Sequence, residues 1–145
     1  MNLIKFTRNN ELAVIPTRAN PSDIGLDLVA IKKYKILAHG CILYDTGISA
    51  SPPEGYHLEI MSRSSITKTG WMLGNGIGLI DPSYTGNLYI ALVKVFPDAP
   101  ELEPPFCVAQ LVLRKSEYGE MEEVKKLDKT ERGDGGFGST GSRIS

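Results

Sequence analysis

The sequence predicts a single all-β domain built as a sandwich, barrel or jelly roll, and three observations support this prediction. Short segments with β character recur between turn signals roughly every 8–12 residues, a spacing typical of such folds. No stretch shows three clean turns of 3.6-residue periodicity, so long amphipathic helices are not expected. The 15 glycines and 9 prolines are scattered along the whole chain, as turns between many short strands require.

Six segments carry the strand signal. Residues 56–60 alternate imperfectly between apolar and polar, as a half-buried strand does. Leu88–Val95 and Val108–Leu113 are nearly continuous apolar runs, which indicates strands covered on both faces. The expected strands are Glu11–Pro16, Tyr34–Leu37, Gly40–Tyr44, Tyr56–Met61, Leu88–Val95 and Cys107–Leu113.

The segment Arg63–Lys68 is predicted to form a short helical turn after the fourth strand. A serine at the start of such a turn can cap it, and the free N–H groups of the first turn then attract an anion. A capped turn without a ligand is the alternative, and it is favoured when this segment is considered alone.

The C-terminal part of the chain differs in composition from the rest. Lys115–Thr130 carries nine charges, which indicates a surface strand pair or a linker. Glu131–Ser145 holds five glycines around one aromatic residue, Phe137. Such a segment cannot offset its ordering entropy alone and is expected to be mobile until it binds something. The predicted organisation is a β core over 1–130 and a flexible arm over 131–145.

Composition and charge argue against two classes of function and indicate where the protein is located. Hydrophobic residues make up 41% of the chain and the formal net charge is -1, so a protein that mainly coats nucleic acid or a membrane surface is not expected. The two cysteines, Cys41 and Cys107, have no metal-like spacing and indicate reduced thiols. Met1–Phe6 lacks a long apolar core. We therefore expect an intracellular protein, cytoplasmic or nuclear, with no targeting segment.

Five short segments are dense in Gly, Asp, Ser, Gln or Arg where a fold alone does not require them. They are 22–30 (SDIGLDLVA), 62–65 (SRSS), 74–88 (GNGIGLIDPSYTGNL), 108–111 (VAQL) and 132–141 (RGDGGFGSTG). Singly, most allow a structural explanation: Gln110, for example, could be a satisfied core amide. In this order, however, they resemble the five motifs of the trimeric dUTPase family. The third and fifth segments are the specific ones, and the resemblance covers residues 22 to 141.

The resemblance implies both a fold and an activity. The fold is a jelly-roll-like β-barrel assembled as a homotrimer, in which each active site combines segments from three chains. The reaction is hydrolysis of dUTP to dUMP and pyrophosphate by water attack at the α-phosphorus, with Mg²⁺ as cofactor. It keeps uracil out of DNA and supplies dUMP for dTMP synthesis. No nucleic-acid or membrane partner is implied.

Residues of the third segment receive the most direct roles. The resemblance identifies Asp81 as the general base, because a carboxylate within hydrogen-bond reach of the attacking water can take its proton. Asn75 and the backbone around Gly78 are expected to read uracil from a hairpin spanning 75–81, since glycine permits close approach of the backbone. Tyr84 is implied to pack under the sugar and select deoxyribose.

The other segments are expected to bind phosphates and close the site. Asp27 is a possible outer-shell partner of Mg²⁺, which the substrate phosphates would mainly hold because the sequence offers no dedicated metal cage. Phe137 is implied to stack over uracil as the arm closes. The expected phosphate contacts are Arg63, Ser64, Ser65 and Gln110 in the core and Arg132, Gly138, Ser139 and Thr140 in the arm.

Two other functions are weighed against this one. A dCTP deaminase of the same fold would need a catalytic glutamate in the third segment, where this chain has Gly-Leu-Ile-Asp. A non-catalytic β-sandwich binding module would have no use for a carboxylate at position 81. Two departures from the family pattern are Cys107, where many members have a basic residue, and the proline-rich stretch 96–105 (FPDAPELEPP), which is unusual for a hairpin between core strands.

Overall fold

The computed structural model describes residues 2–138 and contains ten strands and two short 3₁₀ turns. The turns are Ala38–Gly40 and Ser64–Lys68. The strands are β1 (Lys5–Arg8), β2 (Leu26–Ala30), β3 (Lys32–Ile36), β4 (Ile42–Asp45), β5 (Ile48–Ser51), β6 (Tyr56–Ser62), β7 (Trp71–Leu73), β8 (Gly78–Ile80), β9 (Tyr89–Lys94) and β10 (Phe106–Lys115).

The strands form two four-stranded sheets and one two-stranded sheet. The site sheet has the order β2-β10-β6-β8, the opposite sheet has the order β3-β4-β9-β7, and β1 pairs with β5. All these pairings are antiparallel. The all-β prediction is therefore confirmed, although the sheets stay open and do not close into a continuous barrel.

One hydrophobic core joins residues from all three sheets. Leu58 and Ile60 of β6 and Ile90 and Leu92 of β9 are at most 2% exposed, as alternate positions of a strand with one buried face should be. Tyr44 of β4 is fully buried among them. Burial of such side chains fixes the register of each strand, since a slip by one residue would turn the apolar set outward.

Five of the six strands expected from the sequence are confirmed, with shifts at their ends, but Glu11–Pro16 is not a strand. Asn10 forms a turn there instead. Its side-chain oxygen accepts a hydrogen bond from the Leu12 N–H at 2.8 Å, and its backbone oxygen accepts one from the Ala13 N–H at 3.0 Å. Asparagine bonds of this kind compete with strand pairing.

Two connections also differ from expectation. Residues 96–105 do not link a hairpin, because β9 and β10 belong to different sheets. Of the two alternatives for 115–130, a surface strand pair is wrong, since no strand is found in the described chain after Lys115. Cys41 and Cys107 are both free. Among residues 2–138, no helix has the length and apolar character needed to cross a membrane.

Candidate active site

The outer face of the site sheet carries the first group of candidate residues. Because Leu58 and Ile60 face the core, the neighbouring side chains His57, Glu59 and Met61 alternate onto the outer face of β6. On the next strand Gln110 pairs with Met61, and on the strand beyond it Asp27 pairs with Gln110. The polar side chains of motifs one, two and four thus meet at one end of this face.

Arg63 is the centre of that group. Its Nε donates to Asp27 Oδ1 at 3.1 Å and its Nη1 donates to the Cys107 carbonyl at 3.0 Å. Both members of the ion pair remain about one-third exposed, at 33% and 31%. The guanidinium is therefore held at two points while part of it still faces solvent. Asp27, Arg63, Ser64 and Gln110 line one recess and are called the Arg63 cluster below.

Gln110 shows why a glycine stands at position 25. Gln110 Nε2 donates to the Ser62 carbonyl at 2.9 Å, which holds the amide across the strand. A Cβ atom on Gly25 would overlap the side-chain amide of Gln110. The glycine of the first motif thus leaves room for the observed position of the Gln110 amide in the fourth motif, and its φ angle is not positive.

The helical turn of the second motif exists, but its predicted serine cap is wrong. The 3₁₀ turn Ser64–Lys68 begins after Arg63, which makes no side-chain capping bond. The Thr67 hydroxyl donates to the Ser64 carbonyl at 2.7 Å. Ser65 Oγ is buried and has no hydrogen-bond partner in the described chain. An orphaned buried hydroxyl is costly, and a ligand or a second chain could satisfy it.

The second group surrounds Asp81, directly after β8. The Tyr84 N–H donates to the Asp81 carbonyl at 3.0 Å, which closes the tight turn expected around Pro82. The Tyr84 hydroxyl donates to the Asn87 carbonyl at 2.6 Å. The pKa of Tyr84 is raised mainly by burial and also by the negative charge of Asp45. The Tyr84 hydroxyl therefore stays protonated and can donate. The residues 78–87 are called the Asp81 turn below.

The segment before Asp81 is not the hairpin that the sequence suggests. β7 pairs with β9 and β8 pairs with β6, so residues 74–77 cross from the opposite sheet to the site sheet. Gly76 has a φ of +71° and its position has open space around it. Gly78 is buried, and a Cβ there would lie 3.1 Å from the Cβ of Ile60. Gly76 therefore leaves the backbone accessible, whereas Gly78 lets the backbone pack closely against Ile60. Asn75, beside Gly76, is exposed.

Sequence reasoning missed a polar group next to Asp81. His57 Nε2 lies 2.8 Å from Glu59 Oε2, and His57 Nδ1 lies 2.8 Å from Ser116 Oγ. His57 and Ser116 line the same recess as Asp81. Because these contacts span up to 59 positions along the chain, no local pattern reveals them.

The Arg63 cluster and the Asp81 turn lie at opposite ends of the site sheet. β8 pairs with β6 so that Ile80 faces Leu58, which places Asp81 level with His57. Arg63 follows the far end of β6, six residues away, a separation of roughly 20 Å at strand rise. Within one chain, therefore, the candidate base and the candidate phosphate ligands do not meet.

The hydrogen bonds found for the described part of the arm are local. Arg132 Nε donates to the Gly135 carbonyl, and the Gly133 N–H donates to Thr130 Oγ1 at 3.1 Å. The Phe137 side chain is fully exposed. Gly138, with a φ of +90°, is the last described residue, and Ser139 and Thr140 lie outside the described residues.

No dedicated metal site is formed by the side chains of residues 2–138, because no group of three or more His, Cys, Asp or Glu residues could hold an ion there. The donors present are single exposed carboxylates such as Asp81, and Asp27 in its ion pair with Arg63. These residues fit a metal ion that is coordinated mainly by a bound ligand, with protein carboxylates in its outer coordination shell.

Comparison with known proteins gives a consistent result. The model of the dUTPase family matches residues 11–141. A deoxyuridine 5'-triphosphate nucleotidohydrolase of Rabbitpox virus (strain Utrecht) is 36% identical over 140 residues, which is 97% of this chain and 94% of that protein. The enzyme of the same name from Rattus norvegicus is 35% identical over 138 residues, covering 95% of this chain and 67% of the relative.

Solved structures share the fold. A dUTPase variant of Staphylococcus bacteriophage 80alpha, solved with dUpNHpp, superposes with a TM-score of 0.78 at 23% identity and covers 98% of this chain and 100% of its own. A dUTPase variant from phage phi11 of S. aureus, described with a structural Mg(II) ion, gives a TM-score of 0.71 at 21% identity, covering 86% and 98% of the two chains. With a family model that spans almost the whole sequence and relatives above 30% identity, the chain belongs to the dUTPase family.

Proposed function

We propose that the chain hydrolyses dUTP to dUMP and pyrophosphate. The observation that carries this proposal is the exposed carboxylate of Asp81, held on a closed turn directly after the backbone edge of β8. A relative named for this activity aligns with nearly the full length of this chain. The reaction removes a nucleotide that would place uracil in DNA, and its product is dUMP.

The backbone of β8 is suited to read the base. β8 is the last strand of its sheet, so one edge pairs with β6 and the other has no described strand beside it. Free N–H and C=O groups on that edge, with the Asn75 amide, can match the donor and acceptor order of uracil. Cytosine presents the opposite pattern at its exocyclic group and would leave buried polar groups unpaired.

Chemistry in this site consists of positioning and proton transfer. Asp81 accepts a proton from a water aligned with the α-phosphorus, and the Tyr84 ring below the sugar leaves no room for a 2′-hydroxyl. Arg63 offers its exposed guanidinium edge to a phosphate, and Ser64, Ser65 and Gln110 add hydroxyl and amide groups. In the arm, Arg132, Phe137 and Gly138, together with Ser139 and Thr140, cover the bound nucleotide and exclude water.

Magnesium is the proposed cofactor. No group of three or more His, Cys, Asp or Glu side chains in residues 2–138 could hold the ion, so phosphate oxygens and waters would hold most of it, with Asp27 at its outer shell. When bound, the ion neutralises charge on the phosphate chain.

The site is proposed to form between copies of the chain in a homotrimer. Asp81 of one copy and the Arg63 cluster of another would then meet, which removes the separation found within a single chain. The buried hydroxyl of Ser65 supports this arrangement, because no partner for it is found among residues 2–138 of one chain. The third copy would supply the arm.

Product analysis tests the proposal. The full chain is incubated with Mg²⁺ and, separately, dUTP, dCTP or dTTP, and the products are separated by chromatography. We expect dUMP and pyrophosphate from dUTP, with dCTP and dTTP nearly unchanged. Ammonia release from dCTP would instead identify the deaminase of the same fold, and binding of dUTP without turnover would identify a binding module.

A further inference from the structure

A buried carboxylate on β4 belongs to neither group of site residues. Asp45 is 6% exposed, and the ion pairs found among residues 2–138 do not include it. Its Oδ1 accepts hydrogen bonds from the Gly47 N–H at 2.8 Å and from Asn87 Nδ2 at 3.0 Å. Burying a carboxylate without a cation is expensive, so these donors must hold it firmly.

Asp45 fixes the orientation of the Asn87 side chain. A carboxylate only accepts hydrogen bonds, so the amide nitrogen of Asn87 must face it and the amide oxygen must face away. That oxygen accepts a hydrogen bond from Asn9 Nδ2 at 2.7 Å and a longer one from Ser49 Oγ at 3.3 Å. Because both ends of the amide are engaged, Asn87 has one orientation and its backbone is held with it.

Asn87 in turn holds the ring of Tyr84. The Tyr84 hydroxyl donates to the Asn87 carbonyl, and the ring folds back over Gly86, where a Cβ would come 2.5 Å from the hydroxyl oxygen. The side chain remains 39% exposed. The ring is therefore anchored at its tip and at its own backbone while its surface stays open to a ligand.

We propose that Asp45 is a positioning residue which, through Asn87, holds the Tyr84 ring and so sets the selectivity for deoxyribose over ribose. This inference rests on the proposed function, in which that ring lies under the sugar. The Tyr84 ring can exclude a 2′-hydroxyl only if the ring cannot shift. Apolar contact alone discriminates weakly between two substrates that differ by one hydroxyl. The network from β4 supplies the required rigidity without touching the nucleotide.

Asp45→Ala tests the inference through kcat/KM for dUTP and for UTP. We expect the dUTP-to-UTP ratio to fall about tenfold or more, while kcat for dUTP falls less than about threefold, because the base and the phosphate ligands are unchanged. Asp45→Asn is the matched control. With its oxygen at the Oδ1 position, it can still accept from Gly47 and Asn87, but its Nδ2 replaces the Oδ2 that accepts from Asn87 at 3.3 Å, so the ratio should fall less than in Asp45→Ala.

Asn9→Ala provides a second variant at an exposed position, in case Asp45→Ala does not fold. It removes one donor to Asn87 and should lower the ratio in the same direction by a smaller factor. An unchanged ratio in the variants that fold, or an equal loss with both nucleotides, would overturn the inference. A wild-type chain that does not hydrolyse dUTP would instead refute the proposed function itself.

Discussion

At the scale of single residues, Asp81 is the side chain on which the proposed chemistry depends most. We predict that Asp81→Asn lowers kcat for dUTP by at least about 100-fold, since an amide cannot take the proton of the attacking water. Binding of dUTP should change little, because the base and phosphate contacts come from other residues. Steady-state kinetics gives kcat, and calorimetry with dUTP and the inactive variant gives the dissociation constant.

Asp98→Asn is the matched control for this substitution. It removes the same charge from an exposed position in the 96–105 connection and should leave kcat unchanged. A near-normal rate in Asp81→Asn would show that another group is the base, and His57, which lines the same recess, would then be the first residue to examine.

Individual site residues differ in how far the sequence could reveal them. Asp81, Tyr84 and Gly78 stand within one dense motif, so their proximity follows from the chain itself. Asp45 and Asn87 are 42 positions apart, and their contact depends on which strands pair. Local sequence patterns carry no information on such distant pairs. The Asp45–Asn87 contact that holds Tyr84 is therefore visible only in the folded structure.

At the scale of elements, long apolar strands were predictable and short ones were not. Their apolar runs revealed β9 and β10 as strands, although neither is buried along most of its length: β9 alternates buried and half-buried residues, and only the middle of β10 is mostly buried. β7 and β8 have three residues each, too few for any alternation to appear, although β8 carries the proposed base-reading edge. The crossing of residues 74–77 between sheets is likewise a matter of long-range pairing and was mistaken for a hairpin.

The C-terminal arm is an element whose role can be separated from folding. We predict that a chain ending at Thr130 keeps its melting temperature within about 3 °C, because residues 131–138 bury almost no apolar surface in the core. Turnover of dUTP should fall at least about tenfold, since Phe137 and Arg132 are lost. Thermal unfolding followed by circular dichroism and a dUTP assay measure the two effects.

A chain ending at Gly141 serves as the control for this truncation. It retains the whole fifth motif and should keep wild-type turnover. If the chain ending at Thr130 instead lost a large part of its thermal stability, the segment would belong to the folded core and the two-part organisation would be wrong.

At the scale of the whole molecule, the separation of the Arg63 cluster from Asp81 has the largest consequence. A single chain holds both halves of a site but keeps them roughly 20 Å apart along β6. The proposed closed, symmetric trimer would resolve this, because each copy would present the same two halves to its neighbours. Light scattering should accordingly give a mass three times that of one chain.

Mixing two inactive variants tests whether sites are shared between chains. Under the proposed function, Asp81→Asn and Arg63→Gln are each expected to disable every site of their own homotrimer. In trimers formed at random from equal amounts of both, about one quarter of the shared sites combine an intact Asp81 with an intact Arg63. Co-refolded mixtures should therefore recover about a quarter of wild-type activity, whereas the two variants folded separately and then combined without exchange should stay inactive. If each site lay within one chain, no mixture would contain an intact site, and activity in the co-refolded sample would remain at the level of the parents.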